Sequence, residues 1–130
     1  MTAEITNTNW FLNKENYEGT VTFRGKKGGL INVFSYGTEF KVGKKTKLEL
    51  DSISAKLDWD TIFSKNQDKE LKLIQKSDWE YEGYGKILDI NPIVIDFGEF
   101  ELNTGNWTND QKIIGEFVYW EIERLDIYSQ

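Results

Sequence analysis

Apolar side chains recur at every second position along much of this chain, the period of a half-buried β-strand. Val21 and Phe23 alternate with Thr20, Thr22 and Arg24, and Leu48 and Leu50 with Lys47, Glu49 and Asp51. Trp79 and Tyr81 alternate with Asp78, Glu80 and Glu82, and Val118, Trp120 and Ile122 with Tyr119, Glu121 and Glu123. The glycine-rich turn Gly25-Lys26-Lys27-Gly28-Gly29 predicts a hairpin into Leu30–Tyr36. That return strand carries apolar residues on both faces, so deeper burial is expected of it than of its partner. Phe40 and Val42 predict a further short strand, and Leu71 and Leu73 another.

The parity of the apolar positions slips at Asp51-Ser52, at Gly98 and at Glu123-Arg124. A slip of one residue is what a bulge or bend produces. The only helical spacing is Asp58-Trp59-Asp60-Thr61-Ile62-Phe63, with Asp58 as a cap and the apolar residues at i, i+3, i+4. Residues 1–17 are polar apart from Trp10, Phe11 and Leu12, and are expected as a partly ordered segment that docks those three side chains. Asp78–Leu102 holds the densest apolar material, the only proline, and Gly83, Gly85 and Gly98. It is read as the middle of the sheet, with glycines that let the strands coil. The expectation is a single all-β domain over residues 1–130, a small curved sheet or barrel with at most one short helix near 58–64.

Two runs in the C-terminal half, G-K-I-L-D-I-N-P-I-V-I-D-F-G-E-F-E-L and I-G-E-F-V-Y-W-E-I-E-R-L-D-I, show a glycine-led strand, a glycine bend and a glycine-opened last strand. Over Gly83 to Ile127 this resembles OB-fold-like small β-barrels. The resemblance implies a barrel and a face suited to oligonucleotides or oligosaccharides. It rests on strands and glycines, so no binding residue carries over from it.

Composition narrows the chemistry. With 0 Cys and 0 His among 130 residues, thiol nucleophiles, disulfides, the usual zinc sites and histidine acid–base catalysis are excluded. The start shows no basic segment followed by an apolar one, and no apolar run is long enough to span a bilayer, so a cytoplasmic protein without membrane contact is expected. Net charge is −6, and it is uneven: residues 1–65 carry 10 basic and 8 acidic side chains, residues 66–130 carry 6 and 14. Neither Asp58-Trp59-Asp60 nor Asn103–Asp110 has the spacing of a calcium loop, so no metal is assigned, and no cofactor. Gly37–Thr46 contains G-K-K-T without the spacing of a phosphate loop.

The carboxylates come in i, i+2 pairs, which on a strand stand side by side on one outward face rather than across a substrate. Asp96 lies between Ile95 and Phe97 and is expected as a half-buried carboxylate held by Lys86, Arg124 or the backbone. A non-enzymatic acidic protein that recognises a basic protein partner is therefore expected, with an inhibitor or immunity protein as its concrete form. The surface predicted for it is Asp78, Glu80, Glu82, Glu99, Glu101, Glu121 and Glu123, with Trp107 and Tyr119 as exposed aromatic anchors and Trp120 in the core. The alternative is an OB-like barrel that binds single-stranded nucleic acid or oligosaccharide through the lysine turns and an aromatic face, with Arg24, Lys26, Lys27, Lys41, Lys44, Lys45 and Lys47 as a nucleic-acid patch, should the two turns lie together, and Trp10, Tyr36 and Phe40 nearby to stack bases.

Overall fold

A computed structural model describes residues 1–129. The chain forms β1 (Thr2–Asn13), β2 (Glu18–Arg24), β3 (Leu30–Ser35), β4 (Lys45–Ser54), α1 (Trp59–Ser64), β5 (Lys72–Gln75), β6 (Tyr81–Asp89), β7 (Val94–Asp96), β8 (Glu101–Asn103) and β9 (Phe117–Ser129). A single 3-10 turn, Gln111–Ile113, precedes β9. The sheet runs β3-β2-β1-β4-β9-β6-β7-β8, with β5 on the edge of β6. All neighbours are antiparallel except β3 and β9, which meet in parallel at Phe34 and Asp126. That contact closes a ring of strand pairings, β1-β2-β3-β9-β4-β1. β6, β7 and β8 extend outward from β9 and fold back beside β4.

The alternation explains which face is buried. On β9, Val118, Trp120 and Ile122 point inward, and after the slip at Glu123-Arg124 Leu125 and Ile127 take over. The core joins these to Ile5, Phe23, Val33, Leu48, Ile87 and Phe97. α1 is capped as the sequence predicts: Asp58 Oδ1 accepts from the Thr61 N–H at 2.9 Å, which holds its carboxyl below the usual range.

Several expectations are corrected. Residues 2–13 form a strand, paired to β4 at Thr2–Glu4 and, with two register shifts, to β2 from Ile5 to Asn13. Phe40 and Val42 form no strand: Phe40 plugs the core from a loop and Val42 is exposed. β3 is half-buried, since Leu30 and Tyr36 face solvent and Phe34 is covered from outside by Trp79 and Arg124. The irregularity in β4 falls at Ile53/Ser54, so Ile53 is exposed rather than inward. Gly98, at φ +93°, is the turn between β7 and β8 rather than a bulge inside one strand.

Gly83 and Gly85 do more than permit coiling. A Cβ on Gly83 would lie 2.5 Å from the Phe97 ring, and one on Gly85 would lie 2.6 Å from the Asp96 carbonyl. Their missing side chains let the β7–β8 hairpin fold tightly over β6 and seat Phe97 in the core. Asp96 is half-buried and held by the backbone: its Oδ1 accepts from the Gly98 N–H at 2.8 Å. Lys86 stands opposite it in register, while Arg124 pairs with Asp126.

Candidate functional site

The predicted acidic surface divides into three places. The first is the outer face of β6 and β9. Glu82 and Glu121 lie directly opposite each other, an arrangement that costs stability when both are charged. Lys76 Nζ stands 3.1 Å from Glu82 and holds its carboxyl below the usual range. Glu121 has no basic partner among the described residues and accepts instead from the Tyr119 hydroxyl at 3.2 Å. Glu80 and Glu123 are exposed beside them, with Asp78 in the turn leading to β6. Tyr119 is not an exposed anchor. It is 2 % exposed, with Lys65 over its ring at 4.4 Å and Tyr84 against its edge. Burial, followed by the Glu121 and Glu82 charges, pushes its phenol up.

The second place is the β7–β8 turn. Glu99 accepts from the N–H groups of Lys27, at 2.8 Å, and Gly29, at 3.1 Å, so it organises the β2–β3 hairpin. Glu101 pairs with Lys26 at 2.6 Å. These two carboxylates are thus spent largely on the chain's own basic turn. The third place holds Trp107, which is half-buried and stacks on Trp120 at 5.4 Å, with Trp59 and Phe63 at its edges. In this cluster Trp59 is the exposed ring, and Trp120 is core as expected.

The basic turns come together in part. Arg24, Lys26 and Lys45 line one groove of about 480 Å³ across the start of β1. Glu4 sits between them, 3.4 Å from Arg24 and opposite Lys45 in register. Lys27, Lys41, Lys44 and Lys47 are exposed outside that groove.

One feature was hidden in the sequence. Main-chain bonds between Met1 and Leu48 end the β1–β4 pairing, and from Glu49 to Ser54 β4 is paired, among the described residues, only with β9. β8 folds back to face this open edge, leaving a slot. One half, about 560 Å³, is lined by Glu49, Leu50, Asp51, Ser52, Ser54, Tyr128 and the Asn103–Gly105 loop, with no basic side chain among the described residues that line it; the other, of similar volume, is lined by Lys26 as well as Glu49 and Glu101. Asp51 stands opposite Asp126 in register, a second like-charged cross-strand pair. Arg124 neutralises Asp126 through bonds of 2.8 and 3.1 Å; among the described residues Glu49 and Asp51 enter no ion pair. At the far end, Trp120 Nε1 donates to Ser54 Oγ at 2.9 Å and Trp107 Nε1 to Thr104 Oγ1 at 3.0 Å, which ties the indole cluster to the slot. Alternation had already put Glu49 and Asp51 outward; what it omitted was the return of β8.

Neither protein-family models, nor curated proteins, nor solved structures give a match to this chain. Among the described residues no helix is long and apolar enough to cross a membrane, and no group of three or more acidic side chains is arranged to hold a metal ion.

Proposed function

We propose that this chain is a non-enzymatic recognition protein that binds a basic partner protein through the acidic outer faces of β9 and its two neighbours. The observation that carries the reading is the pair of like-charged cross-strand contacts, Glu82 with Glu121 and Asp51 with Asp126. In each, one member is ion-paired, Glu82 with Lys76 and Asp126 with Arg124, and among the described residues the other is in no ion pair. Like charges held opposite each other are unfavourable, and a cation from a partner relieves them. Glu49, Glu80 and Glu123 add to the same field, which steers a basic surface toward the strand. Inhibition of a basic enzyme, as by an immunity protein, is the most concrete form of such a role. The test is affinity capture with the wild type and with Asp51→Lys/Glu121→Lys/Glu123→Lys. A basic protein captured only by the wild type, and released by salt, supports the reading. Equal capture by both proteins removes it.

A second reading has its own support. The ring of five strand pairings is the closure that a five-stranded OB-type barrel requires. Its members are β1 to β4 and β9, so of the OB-like stretch at Gly83–Ile127 only the end of β9 contributes. The Arg24, Lys26 and Lys45 groove is then a phosphate-contacting strip for single-stranded nucleic acid. Glu4 and Glu101 already offset that strip, which is why the acidic reading is preferred. Salt-sensitive binding of a mixed-sequence single-stranded oligonucleotide, lost in Arg24→Ala/Lys45→Ala, would reverse the preference.

A further inference from the structure

β3 and β5 border a cleft of about 290 Å³, whose walls include Lys27, Leu30, Leu71, Leu73, Tyr81 and Glu99. Backbone groups alternate in direction along a strand, so the main-chain bonds show which residues turn toward it. In the β2–β3 hairpin the Gly25 N–H donates to the Gly29 carbonyl at 2.7 Å, while both main-chain groups of Asn32 bond to the Tyr81 hydroxyl. Odd-numbered residues of β3 therefore bond to β2, and Leu30 turns its N–H and C=O away from β2, to the cleft. On the other bank the Lys76 N–H donates to the Glu80 carbonyl at 2.8 Å and the β5–β6 register is unbroken. Even-numbered residues there bond to β6, and Leu73 turns its main-chain groups to the cleft. Tyr81 already serves Asn32; no bond to Leu30 or Leu73 crosses the cleft among the described residues.

One cation stands beside these groups. Lys27 Nζ lies 3.3 Å from the point that a Cβ on Gly98 would occupy, and so does the Leu71 carbonyl oxygen. The side chain thus reaches from the hairpin turn toward the residue that precedes β5. Among the described residues Lys27 is in no ion pair. Glu99, the carboxylate in the wall, is held instead by the N–H groups of Lys27 and Gly29. Lys72 lends only its stem, since its ammonium pairs with Glu70 and lies over the Tyr84 ring. Much of the remaining wall is aliphatic: Leu30 is 57 % exposed, and Leu71 and Leu73 are half-buried.

We propose that this cleft binds the carboxylate end of a peptide whose last residue is aliphatic. The carboxylate accepts from the Leu30 N–H and faces the Lys27 ammonium, a charge-assisted contact. The amide N–H of the last residue donates to a main-chain carbonyl of the banks, and its side chain covers Leu30 and Leu73. A basic side chain is repelled by Lys27, and a wholly apolar group leaves the Leu30 N–H without a partner. The space is at the small end of ligand sites, and the Tyr81 hydroxyl closes the β3 edge at Asn32. One residue is therefore held, and no strand is added. No residue that carries the basic-partner reading lines the cleft, so the inference stands apart from that reading.

The test titrates N-acetyl-leucine into the full chain, followed by the amide resonances in NMR spectra. N-acetyl-leucinamide, which lacks the carboxylate, and 4-methylpentanoate, which lacks the amide, serve as comparisons. Saturable shifts are expected at Leu30, with binding weaker by about tenfold or more for the leucinamide and by about threefold or more for 4-methylpentanoate. Lys27→Met is expected to lose about tenfold, and Lys41→Met, which removes an exposed lysine outside the cleft, to lose nothing. Lys27 is exposed and its main-chain bond to Glu99 survives the substitution, so the variant keeps the fold. Equal binding of the acid and its amide overturns the proposal. So do saturable binding that leaves the Leu30 amide unshifted, full affinity in Lys27→Met, and absence of saturable binding. Binding of 4-methylpentanoate as tight as that of N-acetyl-leucine overturns the peptide end and assigns the cleft to a free aliphatic acid.

Discussion

Removing the Tyr81 hydroxyl tests how the β6 end of the sheet is fastened to β3. Tyr81 is 3 % exposed. Its oxygen accepts from the Asn32 N–H at 2.9 Å and its hydroxyl donates to the Asn32 carbonyl at 2.8 Å. One side chain thus serves both main-chain groups of a residue on the side of β3 away from β2. In Tyr81→Phe both groups lose their partner in a half-buried position, a cost of about 1–3 kcal/mol. For a chain of this size that lowers the melting midpoint by roughly 4–12 °C. The titration of the phenol adds a separate, pH-dependent effect. Burial moves the phenol from 10.0 to about 12, only partly opposed by the Asn32 bond. A displacement of that size corresponds to about 2–3 kcal/mol. Because the folded pKa is the higher one, this contribution is complete below pH 10 and is lost as pH rises toward 12. Urea unfolding of both proteins at several pH values between 8 and 12 measures it. The difference in stability is expected to narrow across the upper part of that range. A loss under about 0.5 kcal/mol at pH 8, or a difference that stays constant to pH 12, would refute the reasoning.

Two substitutions test the packing. Gly83→Ala places a methyl 2.5 Å from the Phe97 ring, which has no room to retreat in a fully buried site, and is expected to cost about 1–3 kcal/mol by chemical denaturation. An unchanged midpoint would mean that the β7–β8 hairpin sits less tightly on β6 than described. Ser35→Ala is expected to be neutral or stabilising by up to about 1 kcal/mol, since the Ser35 Oγ is buried without a hydrogen-bond partner among the described residues; a clear destabilisation would reveal a partner for that hydroxyl.

Local alternation carried much of the fold. β2, the Leu48–Leu50 part of β4 and β9 follow their apolar parity, and α1 follows its cap and spacing, because in each the sequence signal and the buried face coincide. β1 escaped for a physical reason. Only Ala3 and Ile5 among its residues are buried, so its strand character comes from neighbours on both sides rather than from its own pattern. Tyr119 was assigned correctly to the outer face of β9, but the segment after α1 crosses that face and brings Lys65 over the ring. Buried Asn66 anchors the crossing through bonds to Gly85, Glu70 and Val118. Such coverage depends on tertiary placement and leaves no periodic trace. The same holds for the slot: Glu49 and Asp51 look like ordinary solvated positions until β8, some fifty residues later, closes the other bank.

The central claim is that uncompensated carboxylates on β9 and its neighbours select a basic partner. Calorimetric titration of the captured partner, at 50 and 300 mM salt as chosen test conditions, measures it most directly. The account predicts at least a tenfold weaker affinity at the higher salt and a similar loss in Asp51→Lys/Glu121→Lys/Glu123→Lys at the lower one, on the order expected when several exposed charge pairs are screened or reversed. Affinity that is indifferent to salt, and retained by the charge-reversed protein, would contradict it.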